Sequence, residues 1–162
     1  MSSPNFRGAP VPGVARDRAF LRSRQSSRAA RDFMRETATA WAVQPARVDD
    51  MVLCASELAT NAVRHGVPCG RLFLVRLLAF DDTVRIEVHD SGPNWRESPS
   101  KAITADATAG RGLSIVGALS DEWGVLPRNP GKIVWAEFRG RQQPRTSARL
   151  GSIPQTEQFN RS

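Results

Sequence analysis

Two stretches in the first half of the chain carry apolar residues at helical spacing. The first covers residues 27–43, with Ser26 or Ser27 as its N-cap. Its apolar positions lie three or four residues apart: Ala30, Phe33, Met34, Ala38 and Trp41. The second begins at Pro45, which suits the first turn of a helix because its missing N–H needs no partner there. The pattern predicts two amphipathic helices, and Gly66 is expected to cap the end of the second.

The next stretch of the chain has the pattern of a β-hairpin. Residues 72–80 are rich in β-forming side chains, Asp81-Asp82 supplies a turn, and residues 83–89 alternate between apolar and polar types. The alternation places Arg85, Glu87 and His89 on the face opposite the apolar residues. We expect His89 to be exposed to solvent on that polar face.

The remaining elements complete an α/β pattern. Residues 18–22 predict a short edge strand, and residues 123–126 and 132–138 predict a second hairpin. Residues 94–110 have no periodic pattern and indicate a long loop over the end of the second helix, followed by a helix over residues 113–119. This order predicts an α/β two-layer sandwich, with one mixed or antiparallel sheet and its helices on one face.

Length and composition limit the classes of protein that fit. A chain of 162 residues with 40% apolar composition can bury one sizeable core and hardly two. No apolar run approaches the roughly 20 residues that span a bilayer, and the first residues lack the pattern of a secretory signal. Cys54 and Cys69 match neither a zinc nor a redox spacing. We therefore expect a cytoplasmic protein without membrane contact.

The net charge of +7 is distributed unevenly along the chain. Residues 1–31 hold seven Arg and one acidic residue, and residues 141–162 hold four Arg and one acidic residue. Between them stand twelve Lys or Arg and fourteen Asp or Glu. This predicts a disordered basic arm over 1–17, a folded domain over 18–139 and a disordered basic tail over 140–162. Because basicity is expected at the ends rather than on a folded face, nucleic acid is an unlikely partner.

Three short motifs could form one site. Glu57 and Asn61 stand four residues apart and share one side of the second helix, at the border of its core-facing stripe. Asp90-Ser91-Gly92 ends the alternating strand, and Gly110-Arg111-Gly112 precedes a helix. Each motif alone is common in loops and on solvated helix flanks. Their chemistry is nevertheless compatible with a bound nucleotide.

Each motif offers one part of such a site. The carboxylate of Asp90 could accept a hydrogen bond from the adenine amine, and Gly92 would let a flat ring approach the backbone. Free N–H groups at the helix start after Gly110 would attract phosphate. Asn61 could give its carbonyl oxygen to Mg²⁺, and Glu57 could accept a proton from an attacking hydroxyl or water.

The order and spacing of these motifs resemble the Bergerat-fold (GHKL) ATPases over about residues 18–139. The segments ELATNAVRHG and GRGLSIVGALSDEWG are similar in sequence to RsbW-like anti-sigma-factor serine/threonine kinases of the actinomycete type. The resemblance implies ATP and Mg²⁺ as ligands. It also implies a sigma factor and an anti-anti-sigma protein as partners, with phosphorylation of a serine or threonine on the latter, and a possible homodimer.

The resemblance assigns a role to each site residue. Glu57 matches the family's catalytic base, Asn61 its Mg²⁺ ligand, and Asp90 with Gly92 its adenine-binding loop. The end of the lid, where backbone amides and an arginine meet the phosphates, is matched by four residues: Gly110, Arg111, Gly112 and Leu113.

One departure keeps other functions open. Many relatives carry a threonine hydroxyl at the start of the last strand, where this chain has Gly131-Lys132-Ile133, and Ile133 is expected to leave the adenine site without that hydroxyl. A non-catalytic nucleotide-binding module that only sequesters a partner is one alternative. A stand-alone sensor-kinase ATP domain acting in trans is another.

Overall fold

The computed structural model describes residues 13–66, 70–91 and 107–141. Within these ranges the chain forms five strands and three α-helices. In chain order they are β1 (Val14–Leu21), α1 (Arg24–Ala40), α2 (Pro45–Asn61) with a π-helical turn (Ala62–Gly66), β2 (Leu72–Phe80), β3 (Thr83–Asp90), α3 (Ala107–Leu119), β4 (Glu122–Pro127) and β5 (Lys132–Arg139). The two hairpins lie where the sequence pattern predicts them.

The strands form one sheet in the order β1-β2-β3-β5-β4, and every neighbouring pair is antiparallel. The helices pack on one face of this sheet, where α1 lies against α2 and α2 against α3. The predicted α/β two-layer sandwich is therefore confirmed, and its sheet is antiparallel rather than mixed.

The core lies between this sheet and the helices. Alternate strand residues supply one side, and the apolar stripes of α1 and α2 supply the other. Burial of each large apolar side chain contributes about 1.5–3 kcal/mol, which makes this layer the main source of stability. The largest fully buried side chains include Met34, Met51, Leu58, Phe73, Leu77, Ile86 and Phe138.

The opposite face of the sheet holds a network of charged groups. Arg85 donates to Glu87 and to Glu137, both at 2.9 Å, and its guanidinium lies 4.1 Å from the ring centroid of Trp135. His89 Nε2 lies 2.8 Å from Glu87 Oε2. Burial would raise the pKa of Glu87, but the His89 hydrogen bond and the charge of Arg85 outweigh it and lower that pKa.

The expectation of a solvent-exposed His89 is wrong, because only 9% of this residue is accessible. Its strand lies between β2 and β5 in the sheet, and its ring is hydrogen-bonded to the Glu87 carboxylate on the same face. Alternation identifies which residues share a face but does not say how far neighbouring strands cover it.

The first strand and helix begin earlier than the sequence pattern indicates. β1 starts at Val14, so residues 14–17 belong to the sheet and not to the predicted arm. α1 starts at Arg24, with Ser23 as its N-cap in place of Ser26 or Ser27. β1 pairs with β2 along its whole length, and this pairing satisfies a backbone whose side chains, Phe20 apart, are exposed.

The positive charge is also placed differently from the sequence expectation. Six of the seven Arg residues in 1–31 fall within the described residues, where α1 carries four exposed arginines at spacings of four, three and four. They form a stripe along the outer side of the helix: Arg24, Arg28, Arg31 and Arg35. The expectation that basicity avoids the folded surface is therefore wrong.

Arg47, in the first turn of α2, ties together the ends of several elements. Its guanidinium donates to the carbonyl oxygens of Leu119 at 3.3 Å and of Arg139 at 3.0 Å. It also pairs with Asp50 and with Asp121, and the latter accepts the backbone N–H of Arg139. The end of α3 is thus fixed to the start of α2.

Candidate functional site

The α2 helix carries the first two candidate residues, Glu57 and Asn61, both half-buried on one side of the helix. Cys54 stands one turn before Glu57 and is fully buried. Burial, together with the nearby charge of Glu57, raises the pKa of the Cys54 thiol to about 12. The thiol is therefore an inert core group that takes no part in chemistry.

The helix changes form directly after Asn61. The chain continues into a π-helical turn over Ala62–Gly66, in place of the regular helix that the sequence predicts up to Gly66. The turn is held from outside, because Arg22 Nε donates to the carbonyl oxygen of Val63 at 2.7 Å. Such turns widen the helix and often accompany functional sites, and this one packs against β3, whose last residue is Asp90.

Gly112 of α3 lies directly on Glu57 and Asn61. A Cβ atom built on Gly112 would lie 3.1 Å from Glu57 Oε2 and 3.4 Å from Asn61 Oδ1. A methyl group there would require the Glu57 carboxylate to shift by a few tenths of an ångström. The structure therefore brings together three of the residues that the sequence selected, and we call Glu57, Asn61 and Gly112 the helix side of the site.

The start of α3 differs from the sequence expectation. The helix begins at Ala107 rather than after Gly112, so the glycine pair does not flank a helix start with free N–H groups. Gly110 and Arg111 lie in the same helix, and Leu113 is half-buried against the core. Gly92 and most of the predicted loop lie outside the described residues. Gly and Arg are poor markers of a helix boundary when packing against α2 decides where the helix begins.

The ends of β3 and β5 form a second group of residues. Asp90 is 3% exposed, and Lys132 Nζ lies 3.7 Å from its Oδ2. Gly131 has a φ of +100°, and a Cβ atom there would lie 1.9 Å from the carbonyl oxygen of Asp90. The tight approach of the two strand ends therefore requires glycine. We call Asp90, Gly131 and Lys132 the strand side of the site.

The strand register corrects the expectation about Ile133. Asp90 stands opposite Lys132, whereas Ile133 stands opposite His89 on the face of the sheet that the helices do not cover. Ile133 therefore cannot leave a gap beside Asp90. The residue that faces Asp90 is Lys132, which motif reading missed, although the pairing of the two strands could have identified it.

These residues fit a nucleotide and a divalent cation. Asp90 is a nearly inaccessible carboxylate at the end of a strand. Asn61 offers one amide oxygen in the space beside Gly112. Across the described ranges there is no cluster of three or more His, Cys, Asp or Glu side chains that could hold a metal ion. A cation held by one protein oxygen and by phosphate oxygens is typical of Mg²⁺ in nucleotide sites.

Comparison with known families identifies the domain. The family described as the histidine kinase-like ATPase domain matches residues 22–138, and the chain belongs to this family. The architecture is accordingly that of a GHKL ATPase with an RsbW-like fold. Within the described residues, no helix has both the length and the apolar character needed to cross a bilayer.

Solved structures support the same fold. Fourteen chains match, and one of them comes from the crystal structure of the RsbU and RsbW domains of Rv1364c from Mycobacterium tuberculosis. It has 22% sequence identity and a TM-score of 0.59, and the match covers 83% of this chain. This chain spans about a third of the chain in that structure, of which 34% is covered. No curated protein sequence matches.

Proposed function

We propose that this protein binds ATP with Mg²⁺ and transfers the γ-phosphoryl group to a serine or threonine of a regulatory protein, as an anti-sigma factor does with its anti-anti-sigma partner. The contact of Gly112 with Glu57 and Asn61 carries the proposal. This contact places a carboxylate and an amide oxygen beside the backbone of α3, which supports the roles proposed below. Asp90 supplies a buried acceptor for the base on the neighbouring strand.

Each residue has a distinct task in this proposal. Asp90 accepts a hydrogen bond from the adenine amine, and Gly92 leaves room for the ring. Asn61 holds Mg²⁺, which when bound offsets negative charge on the phosphates. The segment from Gly110 to Leu113 lies beside the phosphates, with the guanidinium of Arg111 as their donor.

Glu57 acts on the attacking hydroxyl. As the hydroxyl oxygen bonds to the γ-phosphorus, the bond from that phosphorus to the β–γ bridging oxygen breaks, and Glu57 takes the hydroxyl proton. Positioning and charge compensation account for most of the rate in such transfers, so a base is expected to contribute about 10²–10⁴-fold.

The exposed arginines of α1 support a regulatory protein as the partner. Arg24 and Arg64 line an open cleft of about 570 Å³, together with Ser27, Val63 and Thr60, the residue that precedes Asn61. An acidic protein surface would complement this side of the molecule, with strong dependence on salt. The sigma factor and the anti-anti-sigma protein remain the proposed partners.

A second candidate is a module that binds its partner without catalysis. The start of α3 at Ala107 favours it, since the N–H groups around Gly112 are then bonded within the helix and are not available to the phosphates. An ATP domain acting in trans for a sensor kinase is also compatible with the matched family. Transfer of radiolabel from ATP to candidate partners separates catalysis from sequestration.

The binding part of the proposal is tested with Asn61→Ala. We expect Mg²⁺-dependent ATP binding to be lost while the melting temperature without nucleotide stays unchanged, because the amide lies at the border of the core. Gln25→Ala removes an exposed carboxamide from α1 and serves as the control. A thermal shift with Mg-ATP of equal size in the wild type and in Asn61→Ala would refute the assignment of Asn61.

A further inference from the structure

We propose that Lys132 reads the nucleotide base directly, by donating a hydrogen bond to the ring nitrogen N1 of adenine while Asp90 accepts one from the N6 amine. This inference rests on the proposed ATP site and adds a specificity-determining residue to it. It follows from the register of β3 and β5, which places the two charged side chains opposite each other at the strand ends.

The position of Lys132 is well determined by its surroundings. The strand alternation directs it to the same face of the sheet as Asp90, Val88 and Val134, which is the face that α2 covers. Its side chain is 19% exposed and that of Asp90 is 4% exposed, with Nζ and Oδ2 3.7 Å apart. Most of the Lys132 side chain is therefore buried, and its ammonium group lies beside the Asp90 carboxylate.

The close approach of the two strands fixes this placement further. Gly131 precedes Lys132 and packs its Cα against the backbone of Asp90, where no larger residue fits. The main chain of Lys132 thus starts beside Asp90, and its side chain extends from there until Nζ lies 3.7 Å from the Asp90 carboxylate.

The chemistry of the pair matches the edge of adenine. Adenine presents a donor, the N6 amine, next to an acceptor, the N1 nitrogen. A carboxylate is only an acceptor and an ammonium group is only a donor, so Asp90 and Lys132 present the complementary order side by side. Lysine has three N–H groups and can keep Asp90 as a partner while one of them points to N1. A hydrogen bond that involves a charged group contributes more than a neutral one.

A purely structural ion pair would behave in the opposite way. If Lys132 only neutralised Asp90, the adenine amine would have to compete with it for the carboxylate. Removing the ammonium would then strengthen ATP binding, and the N1 nitrogen would be irrelevant to affinity. The sign of the effect therefore separates the two roles.

The test combines a protein change with an atom change in the ligand. Equilibrium dissociation constants are measured with Mg²⁺ for ATP and for 1-deazaadenosine triphosphate, which carries C–H in place of N1. The wild type and Lys132→Met are compared. We expect each single change to weaken binding about tenfold, as loss of a charged hydrogen bond does. The two changes together should weaken binding no more than one of them, because both remove the same bond.

Three outcomes would overturn the assignment of Lys132. They are equal wild-type affinity for the two nucleotides, tighter ATP binding by Lys132→Met, and effects that add fully when combined. A wild type that binds neither nucleotide would instead refute the proposed ATP site itself, so the two failures are distinguishable.

Two further variants serve as controls, one for the loss of a positive charge on β5 and one for the loss of a hydrogen-bond donor at position 132. Arg139→Met removes one positive charge from the other end of β5, where Arg139 pairs with Glu122 at an exposed position, and should leave both affinities unchanged. Lys132→Gln keeps a neutral donor and should retain part of the preference for ATP over the deaza analogue. If Lys132→Met fails to fold, which its melting curve reveals, the wild type and Lys132→Gln still decide the question.

Discussion

The two sides of the site are built on different physical principles. On the helix side, the functional atoms of Glu57 and Asn61 are the ends of flexible side chains, and they lie beside Gly112, close to the place that a Cβ atom would take. On the strand side, Asp90 is almost fully buried, and its backbone is in van der Waals contact with Gly131. The helix side can therefore change chemically without cost to the fold, whereas the strand side combines function and stability in the same residues.

This contrast predicts where substitutions act. Changes on the helix side should alter phosphoryl transfer and leave the free energy of unfolding nearly constant. Changes on the strand side should alter that free energy, and binding will fall partly as a consequence. Four substitutions test this division, in order of decreasing effect.

Glu57→Gln is expected to have the largest effect on transfer. The amide keeps the size of the side chain but cannot accept the proton, so transfer to the protein partner should fall about 10²–10⁴-fold while nucleotide binding persists. Radiolabel transfer in single-turnover conditions measures the first quantity, and titration calorimetry the second. Glu36→Gln, on the exposed side of α1, is the matched control. Full activity in Glu57→Gln would mean that positioning alone carries the reaction.

Gly131→Ala is expected to have the largest effect on stability. A methyl group there would overlap the carbonyl oxygen of Asp90 at 1.9 Å, and the residue would also keep a φ of +100°. We expect a loss of about 3 kcal/mol or more in the free energy of unfolding, measured by urea denaturation. Gly70→Ala separates the two causes, because Gly70 has a φ of +77° and no atom within 4 Å of the place that a methyl group would take. Equal losses in the two variants would show that crowding at Asp90 is unimportant.

Glu87→Gln tests the charged network behind the strand side. The folded protein holds the pKa of Glu87 below its ordinary value of 4.5, so its stabilisation is complete above that pH and is lost as the pH falls through the folded pKa. At neutral pH we expect the variant to be less stable by about 1–2 kcal/mol. The difference from the wild type should shrink in acid. Glu122→Gln, at an exposed pair, should show no such pH dependence, and a constant difference for Glu87→Gln would contradict the assignment.

Gly112→Ala should have the smallest effect on stability. Alanine favours a helix interior by up to about 1 kcal/mol, which offsets the crowding of the two side-chain ends. Transfer should still fall about tenfold, because the methyl group displaces Glu57 and Asn61. Gly117→Ala is the control, since a Cβ atom there would meet Trp123 in place of Glu57 and Asn61. If the two variants transfer equally well, the contact of Gly112 has no role in the reaction.

The sequence predicted the helix side better than the strand side for a physical reason. Glu57 and Asn61 are four residues apart on one helix, so local geometry alone places them together. Lys132 and Asp90 meet only through the pairing of β3 with β5, which are separated by α3 and β4 along the chain. Residue patterns contain no direct information on that register, and motif reading therefore selects Ile133 instead.

The burial of side chains on the sheet face opposite the helices was the other property that the local sequence could not predict. The alternation of β3 was predicted correctly, yet the burial of His89 depends on β2 and β5 and on its hydrogen bond to Glu87. The start of α3 at Ala107 was also missed, because the predicted helix was placed after the glycine pair, although α3 packs against α2 along the earlier residues as well.

The anchoring of α3 by Arg47 also sets the mechanical properties of the helix side. Leu119, which Arg47 holds, lies seven residues after Gly112 in α3. At a rise of about 1.5 Å per residue, the helix segment between them is about 10 Å long. A tilt of α3 by about 10° around this fixed end would carry Gly112 through about 2 Å, enough to make or break its contact with Glu57 and Asn61. Val116, which is fully buried between these two points, would have to move with such a tilt, so the position of Gly112 is coupled to the packing of α3 on the core.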